Sequence, residues 1–366
     1  MKKALGILLL FTNGLICFGQ EFSTAFQEQI KKAQQEHQIP AISVNLITPD
    51  TIYTFVNGKV RTTKKERITP DAKFHLGSNS KAITSFIAMH LSENNSITWD
   101  TSFFELFPEL KASSDKAYAS ITLSDLLSHN AGIKPYTTGT ALAKFNSLTG
   151  TTSEKRYAFS KAVLAETPAK TGTYSNAGYV LAALMLEKAS GKTFKQLLDE
   201  TMNELDLDYF IGFPNKENEM FPWGHIEENG SFIALDPNHP YKLPSYMSSA
   251  GDLSMNSADY AKFIQLNLNG LLGTDNYLTS EDYKTLHFGR ASYAYGWGNI
   301  VKDGAQLSYH DGSTGTYYCH TVVFPEKKIA VVLMANTASQ EAVKALYTLQ
   351  KTISDNPKTV IKIPKM

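Results

Sequence analysis

The sequence has few cysteines and no excess of charge of either sign. Of its 366 residues only Cys17 and Cys319 are cysteines, and loss of an N-terminal leader would leave one, which excludes an intramolecular disulfide framework. Basic and acidic residues each number 35 and no basic block occurs, so nucleic acid is not an expected partner. Stability must come from an apolar core, and the chain is long enough for two subdomains.

The first residues have the pattern of a secretory signal peptide. Lys2 and Lys3 precede an apolar run that ends in small residues, which predicts a leader over residues 1–19. Asn13 interrupts the run, which disfavours a stable membrane span. We therefore expect an exported protein, periplasmic or secreted, without a membrane anchor.

Apolar spacing separates β-rich from helix-rich stretches. Residues 22–38 have helical spacing, and two β-rich runs on either side of Pro49-Asp50 predict an antiparallel hairpin. Helical periodicity then dominates, although Asn229-Gly230 predicts a type I′ hairpin within a lid around 214–247. After about residue 290 the β pattern returns, and a final helix follows.

These stretches predict an α+β fold, an antiparallel sheet flanked by helices with a helical insertion. The sheet subdomain is discontinuous and comprises residues 20–80 plus 285–366. The mainly helical subdomain comprises residues 81–284. Ligand sites tend to lie in clefts between such subdomains.

Ser78 and Lys81 are candidates for a nucleophile and its activating group. They stand three residues apart at the predicted start of an apolar helix, so the lysine amine can reach the serine hydroxyl. Free N–H groups at a helix N-terminus favour an oxyanion. The spacing alone is weak support, because Ser113 and Lys116 repeat it in a polar stretch that we interpret as a solvated loop.

Two further segments supply groups that suit the same chemistry. Tyr174 and Asn176 precede an apolar helix and offer a phenol and an amide, the latter suited to holding a substrate amide. His310 and Gly312 lie on a predicted strand, where glycine lets a substrate approach the backbone. The Ser313 N–H is a candidate to complete an oxyanion hole with the N–H of Ser78.

Other chemistries lack a pattern in this sequence. His225, His239 and His320 have no neighbour at metal-ligand spacing, so no metal or other cofactor is expected. His129 is interpreted as a hydrogen-bonded structural histidine without a catalytic role. No Gly-x-Ser-x-Gly elbow occurs, which leaves an α/β-hydrolase site unsupported.

Taken in order, the three segments resemble those of the penicillin-recognising serine hydrolases, which include class C β-lactamases, D-Ala-D-Ala peptidases, D-aminopeptidases and related esterases. The resemblance extends over nearly the whole mature chain, through the stretches FHLGSNSKAITS, LLSHNAGI, GTYSNAGYVLAALMLEKASGKTF, SAGDLSMNSADYAKF and YGWG. It implies the β-lactamase/transpeptidase-like fold.

The resemblance also implies a role for each candidate residue. Ser78 would attack a carbonyl and carry the acyl group, while Lys81 and Tyr174 would move its proton. Asn176 would hold the acyl side of the substrate. Either Lys81 is neutral through burial and is the base, or it is charged and lowers the pKa of Tyr174, and the sequence leaves both open.

The third segment departs from the β-lactamase pattern. Lysine-threonine-glycine is usual there, whereas this chain has His310-Asp311-Gly312, which brings a partly charged histidine and an acidic residue to the place that binds a β-lactam carboxylate. A histidine here is found in the peptidase, aminopeptidase and esterase branches. The sequence leaves the direction of Asp311 open.

We therefore expect a serine hydrolase that acts on an ester or a D-amino-acid-containing amide. The substrate would be a small molecule or a peptide, with peptidoglycan as one source. The alternatives are a class C-type β-lactamase, an acyltransferase, and a non-catalytic binding module of the cell envelope.

Overall fold

The structure is a computed structural model that describes residues 21–302 and 305–362. The signal peptide predicted at residues 1–19 lies outside the described residues. Within the described ranges, no helix has both the length and the apolar character needed to cross a membrane.

The strands are short except in the main sheet. In chain order they are β1 (Ala41–Ile47), β2 (Ile52–Gly58), β3 (Lys73–His75), β4 (Tyr209–Ile211), β5 (His225–Glu228), β6 (Ser231–Ala234), β7 (Leu253–Asn256), β8 (Gly298–Lys302), β9 (Ala305–Ser313), β10 (Tyr318–Phe324) and β11 (Ile329–Ala335).

Most helices lie between β2 and β8, and the last two close the chain. They are α1 (Thr24–Glu36), α2 (Ser80–Glu93), α3 (Phe103–Leu106), α4 (Leu123–Leu127), α5 (Gly139–Leu142), α6 (Thr152–Leu164), α7 (Asn176–Ser190), α8 (Phe194–Glu204), α9 (Pro214–Glu217), α10 (Ser248–Gly251), α11 (Ser257–Leu271), α12 (Ser280–Phe288), α13 (Gln340–Asp355) and α14 (Pro357–Val360).

The two ends of the sequence meet in one antiparallel sheet of order β2-β1-β11-β10-β9-β8. Val44 of β1 lies opposite Phe55 of β2 on one side and Leu333 of β11 on the other. The hairpin predicted around Pro49-Asp50 is therefore confirmed. The hairpin at Asn229-Gly230 is confirmed as well, since β5 pairs with β6 and both turn residues have positive φ angles, 51° and 76°.

Apolar residues cover both faces of the main sheet. The predicted first and last helices are confirmed as α1 and α13, and Ile30 and Leu346 pack with Val44 and Leu333 on one face. On the other face Val332 belongs to a larger core shared with the helices of the insertion. Each fully buried side chain of this size contributes about 1.5 to 3 kcal/mol, so the core can stabilise the fold without disulfides.

Helix α7 lies at the centre of the insertion. Ser175 caps its N-terminus, since the Ser175 hydroxyl accepts a hydrogen bond from Gly178 N at 3.0 Å, and Gly191 ends the helix with a φ of 71°. Its residues from Ala177 to Glu187 are buried. A helix that is apolar on all sides is stable only in the interior of the protein, which accounts for the central position of α7.

Candidate active site

Ser78 lies in a single 3-10 turn, Gly77–Asn79, between β3 and the start of α2. Gly77 has a φ of 53°, in the left-handed region, and donates its N–H to His75 Nδ1 at 3.0 Å. Since Nδ1 accepts, the His75 proton is on Nε2, which lies 3.1 Å from the buried Asp252 Oδ1. The His75–Asp252 pair thus holds the turn that presents Ser78.

The start of α2 is also tied to the main sheet. The buried Asn79 side chain donates to Cys319 O on β10 at 3.0 Å and accepts from the Tyr260 hydroxyl at 3.0 Å. Ser80 donates its hydroxyl to Gly77 O at 2.8 Å. These hydrogen bonds fix the position of Ser78 relative to both the main sheet and the helices.

Lys81 is fully buried and its amine faces Ser78. The Nζ atom lies 3.2 Å from Ser78 Oγ, 2.7 Å from Asn176 Oδ1 and 2.6 Å from the carbonyl oxygen of Ala250. Burial lowers the pKa of Lys81 well below its ordinary value, because a charged amine loses its hydration there. Burial therefore opposes a positive charge on the amine beside the serine hydroxyl.

Tyr174 lies on the other side of the same amine. Lys81 Nζ is 4.7 Å from the centroid of the Tyr174 ring. Burial raises the pKa of Tyr174 above its ordinary value, and the interaction with the Ser78 hydroxyl opposes this only in part. Tyr174 thus keeps its phenolic proton at neutral pH and can donate it.

Asn176 is the first residue of α7, and its backbone fixes its side chain. Asn176 N donates to Pro135 O at 2.8 Å, and Ser175 donates its hydroxyl to Lys134 O at 2.7 Å. The amide oxygen of Asn176 accepts from Lys81, and its Nδ2 lies 3.3 Å from Tyr136 O. The predicted juxtaposition of Tyr174 and Asn176 at the start of an apolar helix is confirmed.

The backbone of β9 packs directly on the Ser78 turn. A Cβ atom added to Gly312 would lie 1.9 Å from Leu76 O and 2.8 Å from Ser78 N, and one added to Gly77 would lie 2.6 Å from Ser313 N. Thr314 N donates to Tyr317 O, so in the alternating antiparallel pattern the Ser313 N–H is directed away from β10. The N–H groups of Ser78 and Ser313 therefore border one small space.

Substitution of Gly312 by alanine is expected to move β9 away from the nucleophile. Because the nearest obstacle is backbone, we expect about 1 to 3 kcal/mol of lost stability and a roughly 100-fold lower kcat/KM. Urea unfolding and ester hydrolysis measure the two effects. Gly139→Ala is the control for stability, since a Cβ there meets nothing within 4 Å. Equal stability of the two variants would contradict the close packing at Gly312.

His310 lies next to Tyr174 and Tyr293. Its side chain is buried, and its Nε2 lies 3.1 Å from the Tyr293 hydroxyl. Burial is the main cause that lowers the pKa of His310 to about 3. The expectation that His310 is partly charged is therefore wrong, because a buried imidazole without water around it stays neutral at neutral pH.

Asp311 points away from the cleft. Its carboxylate accepts from His320 Nδ1 at 2.7 Å and from the Tyr347 hydroxyl of α13 at 2.8 Å, on the opposite face of the sheet. Burial tends to raise the pKa of Asp311, but these hydrogen bonds dominate and hold it below its ordinary value. The direction that the sequence left open is thus settled, and repulsion of an anionic substrate is removed.

Asp311→Asn is therefore expected to change stability but not catalysis. With a lowered folded-state pKa, the Asp311 carboxylate stabilises the fold above its ordinary titration range, and this is lost as the pH falls through the folded pKa. We expect the variant to lose about 1 kcal/mol at neutral pH and the gap to close in acid. Urea unfolding at both pH values checks this. A large gain in kcat/KM for an anionic substrate would show that Asp311 faces the cleft.

Three aromatic residues at the site were not assigned to it from the sequence. The ring of His129 lies 4.3 Å from that of Tyr174, and His129 Nδ1 accepts from Ser175 N at 3.2 Å, which confirms a hydrogen-bonded structural histidine. Tyr293 packs between His129 and His310. Its position just before YGWG could have indicated from the sequence that it belongs to the site. Tyr241, in the predicted lid, donates its hydroxyl to Thr314 O.

A cavity of about 510 Å³ opens at Ser78. Asn176, Ser313 and Tyr241 contribute to its walls, whereas Tyr174 and His310 do not. Among the described residues, no group of three or more histidine, cysteine or acidic side chains could hold a metal ion. The cavity, its nucleophile and the two N–H groups form a setting for acyl transfer chemistry.

The chain is similar in sequence to known proteins. The sequence profile of the family described as Beta-lactamase matches residues 26–352. An unguisins hydrolase of Aspergillus campestris is 24% identical over 343 residues, covering 87% of this chain and 62% of that protein. Penicillin-binding protein 4 of Amycolatopsis lactamdurans is 21% identical over 330 residues, covering 85% of this chain and 84% of its own.

The fold is shared with solved structures. The octameric penicillin-binding protein homologue from Pyrococcus abyssi superimposes with a TM-score of 0.72 at 22% identity, covering 92% of this chain and 78% of that one. The chain spans about three fifths of the length of the unguisins hydrolases that it matches. The likeness to the solved structure therefore shows the fold.

Proposed function

Because the chain belongs to the beta-lactamase family of serine hydrolases, we propose that it hydrolyses an ester or a D-amino-acid-containing amide through an acyl-enzyme on Ser78. The observation that carries this proposal is the buried amine of Lys81, 3.2 Å from Ser78 Oγ. A buried amine of lowered pKa is a base that can accept a hydroxyl proton near neutral pH.

In the first half of the reaction, Lys81 accepts the Ser78 proton while Ser78 Oγ forms a bond to the substrate carbonyl carbon. The carbonyl oxygen gains negative charge, which the N–H groups of Ser78 and Ser313 stabilise. Tyr174 donates its phenolic proton to the leaving group and regains one from the Lys81 ammonium. The alcohol or amine then departs and the acyl group stays on Ser78.

In the second half, water replaces the departed group. The same neutral Lys81 and Tyr174 pair takes a proton from water as the water oxygen bonds to the acyl carbon. Collapse of the tetrahedral intermediate breaks the bond to Ser78 Oγ, which regains its proton. The acid product leaves and the starting protonation states return.

The charges of the site support an ester or peptide over a β-lactam. The position that holds a lysine in class C β-lactamases by the resemblance above is His310, and burial keeps this residue neutral. A β-lactam carboxylate would thus find no cation at this position. The proposal ranks class C-type β-lactamase activity below ester or peptide hydrolysis.

Export remains part of the proposal, since its support is the residue pattern at 1–19. An envelope location would bring the chain near peptidoglycan-derived peptides that contain D-amino acids. Mass spectrometry of the N-terminus of protein recovered from the cell envelope or the medium tests it. An intact Met1 on all of that protein would contradict removal of a leader.

A substrate panel tests the proposed function. We expect the protein to hydrolyse a 4-nitrophenyl ester or a D-Ala-D-Ala peptide faster than nitrocefin, and a fluorophosphonate to modify Ser78 as located by mass spectrometry. Added D-amino acid should not divert most of the product into a new amide, because that would indicate an acyltransferase. Tight binding without turnover of any of these substrates would instead indicate a binding module.

A further inference from the structure

A second cavity adjoins the one at Ser78. It encloses about 620 Å³ and shares part of its wall with the Ser78 cavity, namely Asn146, Pro240, Lys242, Leu243 and Pro244. The two cavities are therefore neighbours. We call this second space the lysine cavity.

Three lysines from separate elements line the lysine cavity: Lys155 of α6, Lys216 of α9, and Lys242 from the segment after β6. None of them forms an ion pair with a carboxylate within residues 21–302 and 305–362. The one carboxylate in the wall is Asp252, which is buried, is bound to His75 and feels the positive charge of Lys216. The cavity thus has an excess of positive charge.

Tyr246 contributes a buried side chain to the wall of the same cavity. It lines the lysine cavity and is 2% exposed, yet its buried hydroxyl has no hydrogen-bond partner in the described part of the chain. Phe145, Phe213 and Leu243 contribute apolar surface to the same wall.

From these observations we propose that the lysine cavity is a subsite for an anionic group, such as a carboxylate, at the end of the substrate's acyl chain. The inference rests on the proposed function. In the proposed reaction Tyr174 donates a proton to the leaving group. Because Tyr174 is not part of the wall of the Ser78 cavity, we place both cavities on the acyl side of the substrate. The apolar wall accommodates the chain, and the three ammonium groups attract its charge.

Two esters that differ in terminal charge test this subsite. The probes are 4-nitrophenyl hexanoate and the 4-nitrophenyl monoester of adipic acid, which have the same chain length and leaving group. We expect kcat/KM to be roughly tenfold higher for the adipate ester, and the preference to weaken as the salt concentration is raised. A preference for the hexanoate ester in the parent would overturn the inference.

Variants separate the cavity from general charge effects. The triple variant Lys155→Gln, Lys216→Gln, Lys242→Gln should bring the ratio of the two kcat/KM values to about one or below. Lys161→Gln is the control, since Lys161 is exposed on the same helix as Lys155 but outside the cavity. An unchanged ratio in the triple variant would overturn the subsite and leave the proposed function intact. No hydrolysis of either ester by the parent would overturn both.

Discussion

Replacement of Ser78 by alanine should abolish ester hydrolysis and fluorophosphonate labelling. The variant keeps the turn, the oxyanion N–H groups and the cavities but has no atom that can form the acyl-enzyme. We therefore expect kcat/KM to fall by about 10⁴-fold or more, with the residual rate supplied by the oxyanion N–H groups and binding. Stopped assays with 4-nitrophenyl esters and gel fluorescence after labelling measure the two effects.

The chain supplies its own control for this experiment. Ser113 has the same spacing to Lys116 as Ser78 has to Lys81, but it lies on the surface in a short 3-10 helix and donates its hydroxyl to Leu110 O. Ser113→Ala should label and hydrolyse as the parent does. Full labelling of Ser78→Ala would show that another residue is the nucleophile.

Replacement of Lys81 by methionine should have the next largest effect. Methionine fills the same buried space without an amine, so the Ser78 hydroxyl loses its base and kcat/KM should fall by about 10³-fold. Lys81→Arg should not restore activity, because a guanidinium stays charged and cannot accept the proton. Tyr174→Phe should lower the rate less than Lys81→Met, since it removes a proton carrier and leaves the base.

The pH dependence distinguishes the two candidate bases. If neutral Lys81 is the base, kcat/KM of the parent rises with pH through the lowered pKa of Lys81 and then levels off. The same lowered pKa means that the unfolded chain binds the proton more tightly, so Lys81 destabilises the fold below its ordinary pKa. Lys81→Met removes this cost but also leaves Asn176 Oδ1 and Ala250 O without their lysine donor, so its unfolding temperature reports the balance of the two effects. A kcat/KM of the parent that falls as the pH rises toward the ordinary lysine pKa would contradict Lys81 as the base.

Local sequence patterns predicted much of the fold because they act through neighbours in the chain. The hairpin at Asn229-Gly230 follows from two residues that tolerate positive φ, and α7 follows from an apolar run behind Ser175. Ser78 could be preferred over Ser113 because only Ser78 precedes an apolar helix.

Features that depend on distant packing were beyond local patterns. The direction of Asp311 depends on the pairing of β9 with β10 and on the docking of α13, which brings Tyr347 to its carboxylate. The neutral state of His310 depends on burial beside Tyr293, which lies 17 residues away. The lowered pKa of Lys81 likewise depends on how deeply its amine is buried, which the spacing of the motif does not reveal.

The pairing of β1 with β11 has a consequence for how the protein reaches its active form. Ala41 N bonds to the side chain of Asn336 across 295 residues of intervening chain, and β10 and β9 follow in the same sheet. Contacts of such long range form slowly, because the loop between them must close first. Ser313 can thus take its place beside Ser78 only after β11 has been synthesised. A chain that ends before β11 has the turn that carries Ser78 but lacks the complete oxyanion site.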